Sequence, residues 1–162
     1  MLSKKIQDAL NKQINAELYS SYLYLAMQAY FEGNNLPGSA HWMKLQSEEE
    51  WRHGLKIFDF VYNRQGTVAL SAIQQPSSNY KSPLDVFQKA YEHEKTVTNM
   101  IHRLYDLAVK ENDYSTQVML NWFVDEQVEE EKQALVIVEQ LKRIGNDAAA
   151  LIILDKELAE RK

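Results

Sequence analysis

The sequence predicts an all-α fold, a bundle of four long helices with one long crossover and a short fifth helix at the C-terminal end. Three observations predict it. Glycine and proline are scarce, at 5 and 3 of 162 residues, and most of them stand where breaks are expected. Between those breaks apolar residues recur at the helical period. One long stretch, 66–82, lacks that period and separates the second helix from the third.

The first helix runs over 4–32 and stops at Gly33-Asn34-Asn35. Pro37 fits the first turn of the second, which continues to about Arg64, before Gly66. Ser82-Pro83-Leu84-Asp85 reads as an N-cap, a proline at the first helical position and an acid at the third. The third helix follows, to about Glu111. Asp113 caps the fourth, which ends near Ile144 with Gly145 behind it, and Asn146 is placed to cap a short fifth over 147–160. At 1.5 Å per residue each long helix spans ~40 Å. The connection over 66–82 can extend to ~55 Å, enough to return along the whole bundle. Such a crossover makes the second and third helices parallel. The length favours one domain, 1–162.

Composition narrows the function. The net charge of −5 argues against nucleic acid as a partner. The absence of cysteine removes disulfides, zinc–thiolate sites and iron–sulfur clusters. The polar N-terminus and a longest apolar run of only AAALIIL predict a cytoplasmic protein with no membrane partner.

The stretch EEEWRHG, from Glu48 to Gly54, carries the chemistry. At about 100° per residue, Ile6, Leu10, Tyr24 and Phe31 lie within about 40° of Glu17 on the first helix. On the second, Met43, Ile57 and Val61 lie within about 20° of Glu50. Phe87, Ile101 and Tyr105 bracket Glu94 in the same way, and Phe123, Ile137 and Leu141 bracket Glu130. Each long helix therefore has one glutamate at the centre of its apolar stripe, near mid-helix, so the four meet at one level. No Lys or Arg lies at the centre of any stripe to pair with them. Desolvating each ionised carboxylate costs several kcal/mol, and a multivalent cation offsets that cost. His53 follows Glu50 by three residues and Gln127 precedes Glu130 by three, each about 60° round on the same side. Carboxylates with one imidazole suit iron or manganese, with zinc as an intruder. Glu50 is the natural bridge between two ions, because its helix also supplies His53. Trp122 falls on the inward side of the fourth helix and reads as packing; His41, His93 and His102 read as surface or structural. The first helix is apolar nearly all round, which predicts contacts between subunits.

With those residues in place, NAELYSSYLYL (15–25), SEEEWRHGLKIFDF (47–60), YEHEKTV (91–97) and WFVDEQVEEEK (122–132) together resemble the non-haem prokaryotic ferritins, over essentially the whole chain. The resemblance implies a ferritin-like bundle and a ferroxidase that oxidises Fe(II) with dioxygen or peroxide. Glu17, Glu50 and His53 would hold the first iron, and Glu50, Glu94 and Glu130 the second. Gln127 would sit beside the pair, Tyr24 nearby as a redox partner, and a third iron would use Glu49, Glu126 and Glu129 with Glu130 shared. Twenty-four subunits would enclose a ferric mineral. The symmetric site with Glu-x-x-His on two helices is disfavoured, because the second motif here is Gln127-x-x-Glu130. Haem is not expected, since Arg52 stands between Trp51 and His53 where the haem methionine would be sought. The rival reading is a di-iron or di-manganese carboxylate oxidase without a storage role; a metal-free helical scaffold is the third.

Overall fold

The computed structural model describes residues 1–162. It contains five helices and no strand: α1 (Lys4–Gly33), α2 (Pro37–Asn63), α3 (Pro83–Lys110), α4 (Tyr114–Ile144) and α5 (Ala148–Leu158). Side-chain caps start most of them, at Ser82 and Asp113 as the sequence predicts and at Ser3 in addition. Ser3 Oγ accepts from the Ile6 amide, Ser82 Oγ from that of Asp85, and Asp113 Oδ1 from that of Thr116. The start of α5 differs by one residue. Asp147, not Asn146, is its cap, accepting from the amides of Ala149 and Ala150 at 3.0 and 3.1 Å. Asn146 remains in the turn that follows Gly145, whose φ of 56° suits a residue without a Cβ.

Contacts at the helix ends set the topology. Ser3 and Lys5, at the start of α1, bond to Glu111 at the end of α3, so α1 and α3 run in opposite directions. Arg64, just past α2, forks onto Asp113 at the start of α4 with bonds of 2.8 and 3.2 Å. α2 and α3 are therefore parallel, each ending beside the N-terminus of the chain, and 64–82 carries the chain back. That segment lies along α1 on three carboxamides. The Thr67 amide donates to Gln7 Oε1, the Ala69 amide to Asn11 Oδ1, and Asn15 Nδ2 donates to the carbonyls of Ser71 and Ala72. Four residues of helix rise about 6 Å and two extended residues about 6.6 Å, so positions 7, 11 and 15 keep step with 67, 69 and 71.

α2 has no side-chain cap of its own, because Leu36 stands at that position. Asp155 of α5 supplies one, accepting from the Gly38 and Ser39 amides at 2.9 and 2.7 Å. Gly38 is what allows α5 so close: a Cβ there would stand 1.6 Å from the Asp155 carbonyl oxygen.

The interior is two apolar cores. One, near α5, includes Tyr24, Met27, Phe31, Trp42, Met43, Phe87 and Leu141; the other, near the N-terminus, includes Ile6, Leu10, Ile57, Ile101, Leu120 and Phe123. Each such side chain stabilises the fold by about 1.5–3 kcal/mol on burial. Part of the surface of α1 that the sequence assigns to other subunits is covered within the chain. Leu23 is buried, and Tyr19 and Tyr30 pack on the core nearer α5, Tyr30 edge-on to Tyr80 of the crossover. Tyr22 and Leu25 are left 46% and 49% exposed. No helix is long and apolar enough to cross a membrane.

Candidate metal centre

Between the two cores lies a polar layer. Glu17 follows Ile14 on α1, Glu50 lies between Met43 and Ile57 on α2, Glu94 between Ala90 and Val97 on α3, and Glu130 between Phe123 and Ile137 on α4. All four carboxylates are buried, at 5% exposure or less. Three sets of side chains each bring one ligand atom apiece within 4.8 Å of one another: Glu17, Glu50 and His53; Glu50, Glu94 and Glu130; and His53, Glu126 and Glu130. Glu50 and Glu130 each belong to two sets, so the geometry offers adjoining sites that share carboxylates.

The donors around this layer are neutral. Gln13 Nε2 donates to Glu17 Oε1 at 2.7 Å. Gln46 Nε2 donates to Glu50 Oε1 at 3.3 Å and to Glu130 Oε1 at 3.1 Å. The Tyr24 hydroxyl donates to Glu94 Oε1 and Gln127 Nε2 to Glu94 Oε2. One oxygen on each of Glu17, Glu50 and Glu130 is buried with no partner. No lysine or arginine bonds to any of the four. The nearest titratable nitrogen is His53 Nδ1, 3.4 Å from Glu50 Oε2 and 4.0 Å from Glu130 Oε1.

Burial therefore dominates the electrostatics. It pushes Glu17 up to about 7. It holds Glu50 and Glu130 well above the usual carboxylate range, reinforced in each case by the neighbouring acids, and it raises Glu94 too. Burial lowers His53 to about 4, helped by Arg52 and Lys56, so at neutral pH its ring is uncharged with a free lone pair. His53 thus provides no counter-charge, but it is ready to ligate. Hard anionic oxygens, one neutral imidazole and three orphaned lone-pair sites fit a pair of cations of the iron or manganese type.

The other predicted residues sort by their contacts. Tyr24 is fully buried, and its phenol is held protonated by burial and then by Glu94, Glu50 and Glu130. Gln127 turns its amide NH2 towards Glu94, so towards that carboxylate it acts as a donor rather than a ligand. Glu126, half-buried and raised chiefly by burial and then by Glu129 and Glu49, joins His53 and Glu130. Glu49 and Glu129 join none of the three sets: Glu49 is paired with Arg161 at 2.5 Å, and Glu129 accepts from Gln133 at 3.0 Å. Trp122 packs, as predicted, against His53 and Phe123, but at the rim of the bundle rather than inside it. It is 37% exposed, stacked edge-on against His53 with Lys56 over its ring. His93 bonds to Ser20 and packs edge-on against Tyr19 and Tyr24, a structural role. Gln13 and Gln46 escaped the sequence reading. Their signal was a Gln four residues before each of two inward acids, on the same helix face.

A profile of the ferritin-like domain matches residues 7–144. The chain belongs to the ferritin family. This ferritin chain is 42% identical over 161 residues to a bacterial non-heme ferritin of Bacteroides fragilis, covering 99% of this chain and 100% of that one. It is 41% identical to a bacterial non-heme ferritin of Staphylococcus saprophyticus, covering 99% and 96%. Among solved structures, an open pore ferritin from the hyperthermophilic archaeon Archaeoglobus fulgidus superposes with a TM-score of 0.99 at 51% identity, covering 100% of both chains. A closed form of the Archaeoglobus ferritin, engineered by mutagenesis, superposes equally well at 52% identity.

Proposed function

We propose that the protein stores iron and is a ferroxidase. It oxidises Fe(II) with dioxygen or peroxide at the dinuclear carboxylate centre and passes Fe(III) to a mineral inside a shell of 24 copies. The observation that carries this reading is the set of orphaned carboxylate oxygens on Glu17, Glu50 and Glu130, buried among neutral donors. The bacterial and archaeal ferritins to which the chain is similar support it. Iron is here the substrate. Glu17, Glu50 and His53 hold one Fe(II), and Glu50, Glu94 and Glu130 the other.

Four carboxylates stabilise the higher charge of the ferric state more than that of the ferrous state, which favours loss of one electron from each ion. Uncharged His53 ligates without first releasing a proton, whereas raised Glu17, Glu50 and Glu130 release protons as the ions enter. The Tyr24 hydroxyl and the Gln127 amide hold Glu94 in place. Half-buried Glu126 joins His53 and Glu130 and, with Glu129 and Glu49 nearby, makes the third site, which Glu49 enters by leaving Arg161.

Aerobic addition of Fe(II) tests the reading. The expected result is a large particle that retains hundreds of irons. A small particle that oxidises iron but holds only two per subunit would favour the carboxylate-oxidase alternative.

A further inference from the structure

Arg161 lies beyond the C-terminal end of α5 and outside the matched segment 7–144. Its guanidinium turns back onto α2. Nη2 donates to Gln46 Oε1 at 3.0 Å and to Glu49 Oε2 at 2.5 Å, and Nη1 donates to the Trp42 carbonyl at 3.3 Å. The group lies over the Trp42 ring, 4.5 Å from its centroid. The Arg161 carbonyl meets His41 Nε2 at 2.9 Å. A side chain held at this many points occupies one position.

Gln46 connects it to the metal centre. Its side chain is buried, and its amide has one accepting and one donating end, exchanged by a half-turn of the last torsion. A guanidinium has donors only, so it selects the oxygen end. The NH2 must then face the other way, where it reaches Glu50 and Glu130. Reversing the amide would set its oxygen against two carboxylates and its NH2 against a cation.

We propose that Arg161 is a positioning residue of the dinuclear centre. By fixing the Gln46 amide it supplies the donor that holds the carboxylates Glu50 and Glu130 in their metal-facing orientation. The inference rests on the metal-binding role proposed for those two acids. Residues behind the ligands of a metal site commonly change its affinity by about 10- to 100-fold.

Co(II) alone, added to the chelator-treated full-length protein, is the probe, read by its visible absorption and by titration. Arg161→Ala is expected to weaken Co(II) binding about tenfold and to shift the visible band. Arg161→Lys restores a charge beside Glu49 without the fork that reaches Gln46 and the Trp42 carbonyl together, and is expected to leave the band shifted. In a Gln46→Leu background, Arg161→Ala is expected to add nothing. An unchanged band in Arg161→Ala, even with a lowered melting temperature, would overturn the proposal. So would full rescue by lysine, or a further loss when Arg161→Ala is added to Gln46→Leu. Failure of the unsubstituted protein to bind Co(II) in a manner abolished by Glu50→Ala would overturn the proposed function itself, and this inference with it.

Discussion

Asp155 and Ser39 stand 116 residues apart, and one carboxylate oxygen of Asp155 accepts from both the amide and the hydroxyl of Ser39, each at 2.7 Å. The other oxygen accepts from the Gly38 amide. A helix N-terminus left bare by Leu36 is thus closed by a residue of α5, and the positive end of the α2 dipole meets a full negative charge. Asp155→Ala removes the cap and leaves buried donors unmatched. Losing a cap costs about 1 kcal/mol and each unmatched donor about 1–3 kcal/mol, so the thermal midpoint should fall by several degrees. Asp155→Asn keeps an acceptor and should recover about half. An unchanged midpoint in Asp155→Ala would show that the contact contributes little.

Gly38→Ala should be worse than its size implies. The new Cβ would lie 1.6 Å from the Asp155 carbonyl oxygen and 2.6 Å from its carbon, both main-chain atoms. α5 must move away, which should loosen the helix around the already exposed Lys156 and speed tryptic cleavage there. Gly33→Ala is the control: nothing lies within 4 Å of its Cβ, so it should be neutral or slightly stabilising. Equal tryptic patterns in the two variants would contradict the close packing.

Stability of the metal-free protein should depend on pH through Glu17. Its carboxyl is pushed up from 4.5 to about 7 in the fold, so its contribution is fully present below pH 4.5 and is lost as pH rises through about 7. His53 and His93 act oppositely: lowered from 6.5 to about 4, they contribute above pH 6.5 and lose that contribution as pH falls through about 4. They are common to the Glu17→Gln variant, so they cancel in a comparison. Between pH 5 and 8 the chelator-treated wild type should lose melting temperature relative to Glu17→Gln. Parallel curves would remove Glu17 from the titrating set.

Glu50→Ala and His53→Ala should slow the first turnover of Fe(II) oxidation by more than the ~10- to 100-fold that changes behind metal ligands cost, seen in stopped-flow absorbance. Glu129→Ala should spare that turnover and slow later ones, because Glu129 joins none of the three ligand sets and accepts instead from Gln133. A lost first burst in Glu129→Ala would move that residue into the dinuclear centre.

The helices and the four inward acids were legible because each is a local contradiction. A glutamate at the centre of an apolar stripe is costly unless something compensates it, and period alone locates it. Gln13 and Gln46 were legible in principle, one turn before Glu17 and Glu50. The roles of Asp155 and Arg161 were not, since nothing near either residue says where α5 docks. For the same reason Glu49 read only as a ligand of the third iron, with no sign of the ion pair it makes: its partner arrives from 112 residues away. Trp122 was misplaced because an angle on one helix does not say how its neighbours splay. On α1 the nearly continuous apolar surface was read correctly, but the strip of chain that covers part of it, with Tyr80, has no periodicity to reveal it.

That strip also constrains how the sequence can change. Its amides meet α1 at alternate residues, Thr67 and Ala69, while Gln7, Asn11 and Asn15 present their carboxamides at one-turn intervals, and at Asn15 the adjacent carbonyls of Ser71 and Ala72 share one donor. Between Thr67 and Ala69 the two rulers match, two residues of the strip against four of the helix. Losing the residue between Thr67 and Ala69 would break the joint engagement of Gln7 and Asn11, whereas at Asn15 a shift of one residue still leaves a carbonyl within reach. Tolerance to length change is therefore uneven along the segment, least at its Thr67 end and greater at Asn15, although the segment has neither helix nor strand of its own.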